Sequence, residues 1–356
     1  MKRVFSHSEF STYQQCPKKW WFKYHERLMV AIKKNALSFG GIIHSALESY
    51  YIAIQKDVYE QEARKIANET FAVEIEAQIK KLIQEGADEE QTEELKALVS
   101  VGESMLMMYF EYAHENDTFK VIAIEDRITV PVEAPSGRAS TTFEYVFIPD
   151  MIVYDNGGIW IVEDKTAKTI SSQYFQKLAL DDQITRYCWG LEKFLRITTD
   201  EKYLPYKNME VKGVYYNILK KKKPTVPILL KSGKGISRAS NIDTTADVYL
   251  QAITDNGLKP SDYENELDAL QNKKSSFFHR EVVNRNSTEK EECRQGIHTL
   301  CRAINTDPAI YRCPGQECGW KCDYRNLCIE DTPESRSLYE IKEDYKAEND
   351  QKEVEV

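Results

Sequence analysis

The sequence lacks the long apolar runs and motor motifs that define several large classes of protein. No stretch approaches the roughly 18 apolar residues that a membrane-spanning helix needs. The N-terminal run MKRVFSHSEFSTYQQCPKKW has no apolar core of the kind found in secretory signals. No GxxxxGK[ST] loop is present, so any nucleotide-driven motor would have to be another chain. These absences predict a protein of the cytoplasm.

The charge of the chain is unevenly distributed. The 356 residues carry a net charge of −9, with 42% apolar and 29% charged residues. The segment 331–356 alone holds nine acidic and four basic residues, which leaves a net charge of only −4 for the rest. We therefore expect an acidic, flexible tail at 331–356. The overall charge neither supports nor excludes a nucleic-acid partner.

Eight cysteines without a secretory signal indicate metal ligation or free thiols rather than disulfides. Cys318, Cys322 and Cys328 follow a C-x3-C-x5-C pattern, and Cys16 lies about three hundred residues earlier. Four thiolates can ligate an iron–sulfur cluster or a structural zinc ion, and either would join the two ends of the chain. Cys313 lies five residues before Cys318 and is a competing ligand. The other three cysteines lie in helical patterns and are expected to be buried: Cys188, Cys293 and Cys301.

The periodicity between the two ends predicts an α/β fold. Helices are expected over 8–25, 38–54 and 172–194, with a two-helix insertion over 60–114 that breaks near Gly86. Strands are expected over 120–132, 141–154, 159–165 and 211–219, and the Asp155–Gly158 turn favours a hairpin. This order predicts a mixed sheet flanked by helices. The segment 220–238 is expected to form a basic loop, and 244–272 is expected to be helical.

Side-chain alternation along 159–165 places Glu163 and Lys165 on one face of a strand. The hairpin would bring Asp150, at the end of the preceding strand, beside Glu163. Two carboxylates this close repel each other unless a cation lies between them, and an adjacent lysine suits phosphodiester hydrolysis. A salt-bridged hairpin would carry the same residues, and the pattern alone leaves both interpretations open.

Two helices add candidates. His44 shares a helix face with Glu48 and is a possible third metal ligand, although a lone helical histidine is more often structural. An imidazole beside two carboxylates shifts the preference from Mg²⁺ toward Mn²⁺. Gln183 and Tyr187 are four residues apart and so face the same way, either as a polar helix edge or toward the site.

The segments GGIIHSALE, IPD, VEDKT and QITRY, in this order, resemble the RecB-like branch of the PD-(D/E)XK nuclease superfamily. The cysteines make the chain similar to the iron–sulfur members of that branch: bacteriophage-type exonucleases above all, the CRISPR-associated exonuclease of spacer acquisition, and the AddB nuclease domain. VYYNILKKKKPTVP, the run near 235–245 and SSFFHREVVNR extend the likeness to the phage type.

The resemblance implies a restriction-endonuclease-like core with a helical insertion and an iron–sulfur staple joining the termini. It implies one nuclease domain over 1–330, divided into a cluster-binding segment 1–35, an insertion 55–116, a core 117–220, a basic and helical part 221–310 and a cysteine segment 311–330. The implied metal ligands are His44, Asp150, Glu163 and the main-chain carbonyl of Asp164. Lys165 would be catalytic with Asp150 and Glu163, and Gln183 and Tyr187 would form the QxxxY pair.

The implied activity is that of a metal-dependent DNA exonuclease, acting 5′→3′ on single-stranded or resected ends in phage-type replication or recombination. The implied cofactors are Mn²⁺ or Mg²⁺ and a [4Fe–4S] cluster on Cys16, Cys318, Cys322 and Cys328, with Zn²⁺ as the alternative. DNA is the implied partner, with a single-strand annealing protein or a helicase as a possible second, in a bacterial or phage-infected cell. The alternative is a catalytically silent or partner-dependent DNA-binding subunit of a helicase–nuclease or spacer-acquisition complex.

Basic residues mark candidate contacts to the phosphates of DNA. The N-terminal pair is interleaved with aromatic residues, and most of the others cluster in one loop. Phe277 and Phe278 could stack on bases, although such pairs are more often core. The predicted DNA-binding residues are Lys18, Lys19, Lys220, Lys221, Lys222, Lys223, Lys231, Lys234, Arg238 and Arg280.

Overall fold

The structure is a computed structural model that describes residues 2–30, 39–84, 86, 89–231, 235–272, 276–306 and 308–342. Lys234 and most of the acidic tail, 343–356, lie outside the described residues. No helix in the described part of the chain is long and apolar enough to cross a membrane.

The N-terminal part consists of short elements that pack on the rest of the chain. Ser6 accepts a hydrogen bond from the Glu9 N–H and so caps the first helix. A π-helical turn at Trp21–His25 follows the second helix. The expected single helix over 8–25 is therefore divided, because Cys16 is extended and Pro17 starts a new helix. The elements are β1 (Arg3–Ser6), α1 (His7–Gln15), α2 (Pro17–Trp20) and β2 (Leu28–Val30).

Three helices come next and pack against one another. The second and third form the expected two-helix insertion. The predicted break between these two helices falls at Gly86, Ala87 and Asp88. Gly86 adopts a positive φ of 94°, and the other two residues lie outside the described residues. The helices are α3 (Phe39–Gln55), α4 (Glu60–Gln84) and α5 (Glu89–Asn116).

The central part alternates strands and helices. Each of the first two predicted strands is two strands in the structure, because the chain turns between them at 125–127 and 148–150. The predicted helix 172–194 is likewise divided, with Asp181 capping its second half. The elements are β3 (Lys120–Ile124), β4 (Ile128–Glu133), β5 (Ala139–Phe147), β6 (Met151–Asp155), β7 (Gly158–Ala167), α6 (Ser172–Ala179), α7 (Asp182–Ile197) and β8 (Val211–Lys220).

The C-terminal part is helical except for two strands. SSFFHREVVNR, for which no strand was predicted, supplies one of them. The elements are α8 (Ala246–Asp255), α9 (Glu264–Gln271), β9 (Phe278–Asn284), α10 (Ser287–Thr306), α11 (Arg325–Ile329), α12 (Pro333–Arg336) and β10 (Tyr339–Ile341).

A five-stranded mixed sheet in the order β3-β6-β7-β8-β9 forms the centre, and its only parallel pair among the described strands is β7–β8. Side-chain alternation divides each strand between two cores. On β7, Ile159 and Ile161 belong to the core shared with α7 and α10, whereas Trp160 and Val162 face the core shared with α3 and α5. The mixed α/β architecture predicted from the sequence is therefore present.

Two smaller sheets complete the described part. In one, β1 pairs in parallel with β5, which also pairs with β4. In the other, β10 pairs antiparallel with β2, with Ile341 opposite Leu28. The first residues of the expected flexible tail are therefore folded, because β2 offers them a strand edge.

Candidate active site

The end of β7 carries the predicted pair. Glu163 and Lys165 project from the same face, and the Nζ of Lys165 donates to the Oε2 of Glu163 at 3.1 Å. Glu163 is only 2% exposed. The contact follows from the two-residue repeat of a strand, so this part of the prediction describes the local geometry correctly.

Asp150 and His44 lie next to this pair. Met151 is opposite Val162 in the β6–β7 ladder, so Asp150, one residue earlier, lies beside β7 near Glu163. The N–H of Asp164 donates to the Oδ2 of Asp150 at 2.8 Å. His44 on α3 places its Nδ1 3.4 Å from the same Oδ2. The structure therefore brings together the histidine, two carboxylates and lysine that were singled out in the sequence.

One oxygen in this group has no partner. The Oε1 of Glu163 is buried and makes no hydrogen bond among the described residues. Burial raises the pKa of Glu163 above the ordinary carboxyl value, and the neighbouring Asp150 raises it further. A buried acceptor without a donor costs about 1–3 kcal/mol, and a cation bound beside Asp150 would remove that cost.

Lys165 remains a cation. Although burial alone would lower the pKa of its amine, Glu163 and Asp150 raise it above the ordinary value. On α7, the Nε2 of Gln183 donates to the hydroxyl of Tyr187 at 3.0 Å. Burial and the charge of Glu163 raise the pKa of Tyr187, so the phenol stays protonated. The Gln183–Tyr187 pair thus lies close enough to the site for Glu163 and Lys165 to influence the phenol of Tyr187.

A buried network holds the opposite side of β7. Asn217 on β8 lies opposite Asp164, is fully buried, and donates from Nδ2 to the Oδ1 of Asp164 at 2.8 Å. Its Oδ1 accepts from the Nε of Arg280 at 2.7 Å. Arg280 also pairs with Asp117 at 2.5 Å, and the side chains of both are 8% exposed. The Nε and Nη1 of Arg280 are therefore engaged in this interior network, away from the exposed position that the predicted DNA contact assumed.

Two tyrosines extend the network toward α3. The Nδ2 of Asn217 lies 3.1 Å from the hydroxyl of Tyr109, which lies 2.8 Å from the hydroxyl of Tyr51. Tyr51 in turn donates to Asp117. The network therefore links α3, α5, β8 and β9 behind the strand whose residues form the site.

Additional carboxylates line a small cleft beside the site. Glu125 has a positive φ of 49° and donates its N–H to the carbonyl of Asp150 at 3.1 Å. Burial, Asp150 and Glu48 raise the pKa of Glu125 to about 8. The lining residues are His44, Leu47, Glu48, Tyr51, Ile124, Glu125, Asp150, Met151 and Asp164. The cleft is thus strongly acidic, as a cation site requires.

The described residues contain no group of three or more histidine, cysteine or acidic side chains already arranged to hold a metal ion. The donor types nevertheless fit a divalent cation, since hard oxygens and one imidazole suit Mn²⁺ or Mg²⁺. The unpartnered Oε1 of Glu163 is the second sign of that fit.

The predicted cysteines lie close together but without metal geometry. All eight cysteines are free thiols. Cys16 and Cys313 are hydrogen-bonded, and burial with the nearby Cys16 raises the pKa of Cys313. Burial is the main cause that raises the pKa of Cys322, and the nearby Cys318 and Cys16 raise it further. Cys322 and Cys328 both pack against a small apolar cluster that contains Phe22 and Tyr324. The structure therefore joins the two ends, but it adds Cys313 to the group.

The other cysteines and the Phe-Phe pair have structural positions. Cys188 and Cys301 are fully buried, and Cys293 is half-buried against the same core. Phe277 and Phe278 are 2% and 5% exposed, so the hypothesis that they stack on bases is wrong.

Four lysines at the start of the predicted basic loop contact other parts of the protein. Lys220 and Lys222 both pair with Asp243, at 2.9 and 3.1 Å. Lys223 donates to the hydroxyl of Ser100 at 3.2 Å, and Lys221 lies over the ring of Phe39. Lys231 and Arg238 are exposed. At the N-terminus, Lys18 lies over Phe22 and Lys19 donates to Gln15.

A mixed sheet whose central strands present two carboxylates and a lysine at one end is the frame of a metal-dependent hydrolase. A family model described as the PD-(D/E)XK nuclease superfamily matches residues 4–329. The chain therefore belongs to the PD-(D/E)XK nuclease superfamily, whose members are generally metal-dependent nucleases. A search of curated proteins found no match.

Several residues in or beside the site could not be predicted from the sequence alone. Asn217 could have been recognised as a candidate, because it is a lone amide in the apolar strand VYYNILK. Asp117 and Tyr109 had no such signal, because their partners lie more than fifty residues away in the chain. Glu125 had none either, since a positive φ at a glutamate cannot be deduced from its neighbours.

Proposed function

We propose that the protein is a divalent-metal-dependent deoxyribonuclease that removes nucleotides from DNA ends. The observation that carries the proposal is the buried Oε1 of Glu163, which has no partner in the described part, beside Asp150 and next to the cation of Lys165. His44, Asp150, Glu163 and the carbonyl of Asp164 would hold Mn²⁺ or Mg²⁺. When bound, the ion supplies an acidified water and neutralises charge on the phosphate.

The chain's own groups have separate tasks in this mechanism. Lys165, kept charged by Glu163, orients the attacking water and stabilises the developing negative charge. The N–H of Asp164 fixes the Asp150 carboxylate through a hydrogen bond, which sets the distance between the two acidic side chains. Gln183 and Tyr187 present a neutral donor pair toward the DNA backbone next to Lys165.

The finer assignments rest on the resemblance described above. We propose 5′→3′ polarity, a preference for single-stranded or resected ends, and a role in phage-type replication or recombination in the cytoplasm. The exposed Lys231 and Arg238 support non-specific contacts with the DNA backbone, which an advancing exonuclease uses.

The test is a time course with purified protein, Mn²⁺ and DNA labelled at either the 5′ or the 3′ end. We expect mononucleotides from the wild type and a loss of at least about a thousandfold for Glu163→Gln, which keeps the size of the side chain but removes its charge. Binding of DNA in Ca²⁺ should be unchanged in this variant. Hydrolysis at the wild-type rate by Glu163→Gln would remove Glu163 from the site.

We also propose that the cysteines bind a [4Fe–4S] cluster, with Zn²⁺ as the alternative metal. The supporting observation is that Cys16 lies among the C-terminal cysteines although it is about three hundred residues distant in sequence. Metal and sulfide analysis with an absorption spectrum distinguishes the two metals. The ligand set predicted from the resemblance includes Cys328, so Cys328→Ser should lose the metal and Cys313→Ser should retain it. The reverse result would make Cys313 the ligand.

A further inference from the structure

The segment after β8 forms a hairpin with an exposed aliphatic surface. Val226, Ile228, Leu229 and Leu230 are 62%, 71%, 48% and 44% exposed. We call residues 225–231 and 235–238 the aliphatic hairpin. A contiguous exposed apolar patch rimmed by polar residues marks an interaction site.

Hydrogen bonds and packing hold the inner side of the hairpin. The N–H of Ser237 donates to the carbonyl of Ile228 at 2.9 Å, and the N–H of Leu230 donates to the carbonyl of Gly235 at 2.8 Å. Ile236, 3% exposed, packs into a cluster with Tyr249 and Ile253. Pro224 and Pro227 are buried, and their fixed φ angles restrict the backbone further. The exposed aliphatic side chains therefore project from a segment whose other side is hydrogen-bonded and packed.

The hairpin begins at the catalytic end of the sheet. β7 and β8 are parallel, with Lys165 opposite Ile218 and Ala167 opposite Lys220. The N–H of Lys221 donates to the carbonyl of Ala167 at 2.8 Å. The chain thus passes from the strand end that carries Lys165 into the hairpin within a few residues.

The residues around the aliphatic side chains are predominantly basic, which favours an anionic partner. The segment 220–243 contains seven basic residues and one acidic residue, Asp243, which pairs with Lys220 and Lys222. Of the remaining basic residues, Lys223, Lys231 and Arg238 are exposed. A polyanion with apolar interior surface fits this combination, and nucleic acid is such a partner. A symmetric contact with a second copy would bring the two sets of cations together, which opposes it.

We propose that Val226, Ile228, Leu229 and Leu230 form a wedge that contacts the bases of a DNA end and separates the terminal base pairs beside the catalytic site. This inference rests on the proposed function. Aliphatic side chains suit insertion between base steps, whereas stacking platforms for single strands use aromatic rings. The flanking lysines would hold the phosphates on either side.

The test compares paired and unpaired ends with the double variant Ile228→Ser/Leu229→Ser in the full-length protein. In Mn²⁺ we expect digestion of a blunt duplex to fall at least about tenfold, and digestion of the same sequence as a single strand to stay within about twofold. The matched control is Val73→Ser/Ile83→Ser, which removes two aliphatic side chains of similar exposure, 67% and 48%, from α4. It should leave both rates unchanged.

A second measurement does not depend on hydrolysis. A duplex with 2-aminopurine at its terminal pair should become brighter when the wild type binds it in Ca²⁺, and should stay dark with the hairpin variant. Absence of hydrolysis by the wild type on every substrate, with brightening retained, would contradict the proposed function but not the wedge. An equal loss on paired and unpaired substrates, no brightening with the wild type, or a change of oligomeric state in the hairpin variant would overturn the wedge.

Discussion

At the scale of single residues, Asn217 is the centre of the hydrogen bonds that lie behind the proposed metal site. Its amide connects Asp164, whose N–H holds Asp150, to the buried Arg280–Asp117 pair. Groups that orient metal ligands in this way typically change metal affinity or activity by about 10–100-fold when removed.

We therefore expect Asn217→Ala to raise the Mn²⁺ concentration for half-maximal nuclease activity by about tenfold or more. A titration of activity against Mn²⁺ measures this, and a melting curve shows how far the fold is weakened. Thr244→Val is the matched control, because the Thr244 hydroxyl is also buried but has no partner in the described part. A lower melting temperature with an unchanged Mn²⁺ dependence would make Asn217 a purely structural residue.

His7 provides a pH prediction at the same scale. The Nη1 of Arg186 donates to its Nδ1 at 2.8 Å, and burial, Arg186 and Lys165 lower the pKa of His7 to about 3. The unfolded chain takes up this proton near pH 6.5 and the folded chain does not. The contribution of His7 to stability is therefore complete above pH 6.5 and is lost as the pH falls toward 3.

At pH 5 the loss should reach about 2 kcal/mol. His7→Asn keeps an acceptor for Arg186 but cannot titrate, so its stability should fall less steeply than that of the wild type between pH 7 and 5. Denaturant unfolding at several pH values measures the two slopes. Parallel slopes would show that His7 is protonated in the folded protein.

Local patterns predicted the parts of the site that depend on one element. The two-residue repeat of β7 places Glu163 beside Lys165, and the four-residue repeat of α7 places Gln183 beside Tyr187. The pattern could not predict the partner of Arg280, because an arginine beside aromatic residues looks the same whether its partner is a phosphate or Asp117. Only the pairing of β9 with β8 makes the interior position clear.

At the scale of elements, the contact between β8 and β9 depends on one glycine. Gly213 has a φ of 156°, and a Cβ built on it would lie 2.1 Å from the carbonyl oxygen of Val283 on β9. Because the clashing atom belongs to the backbone, the strands would have to separate.

We expect Gly213→Ala to lower the free energy of unfolding by about 1–3 kcal/mol or more. Gly296→Ala on α10 is the control, since a Cβ there meets nothing within 4 Å. It should be neutral or stabilise by up to about 1 kcal/mol, because alanine favours a helix. Denaturant unfolding measures both, and equal stability of the two variants would contradict the assigned contact.

The order of the strands could be predicted only in part. The β6–β7 hairpin follows from the Asp155–Gly158 turn, whose residues lie beside each other in the structure. The pairing of β8 with β9 joins segments about sixty residues apart, and no local pattern specifies such a partner. For the same reason SSFFHREVVNR was not recognised as a strand.

At the scale of the whole molecule, the N-terminal segment and the last described residues are held together by strand pairing, an ion pair and hydrogen bonds. β10 pairs with β2, Arg336 pairs with Glu26 at 2.8 Å, and the hydroxyl of Tyr324 donates to the carbonyl of Leu28 at 2.7 Å. The end of the described chain, at Lys342, donates its N–H to the carbonyl of Arg27.

A truncation series tests this arrangement. A chain that ends at Lys342 keeps β10 and is the reference for the series. A chain that ends at Glu330 loses β10 and the Arg336 pair and should melt lower, by about 2–4 °C for each kcal/mol lost. Equal melting temperatures for the two truncations would show that β10 adds nothing to stability.

The pairing of β10 with β2 has a consequence for synthesis of the chain on the ribosome. β2 is synthesised roughly three hundred residues before its partner β10, which at about 5–20 residues per second is on the order of 15–60 s. During that interval the edge of β2 has no strand beside it and is open to pairing with other nascent chains. A chaperone that covers residues 28–30 until β10 has been synthesised should therefore raise the yield of folded protein.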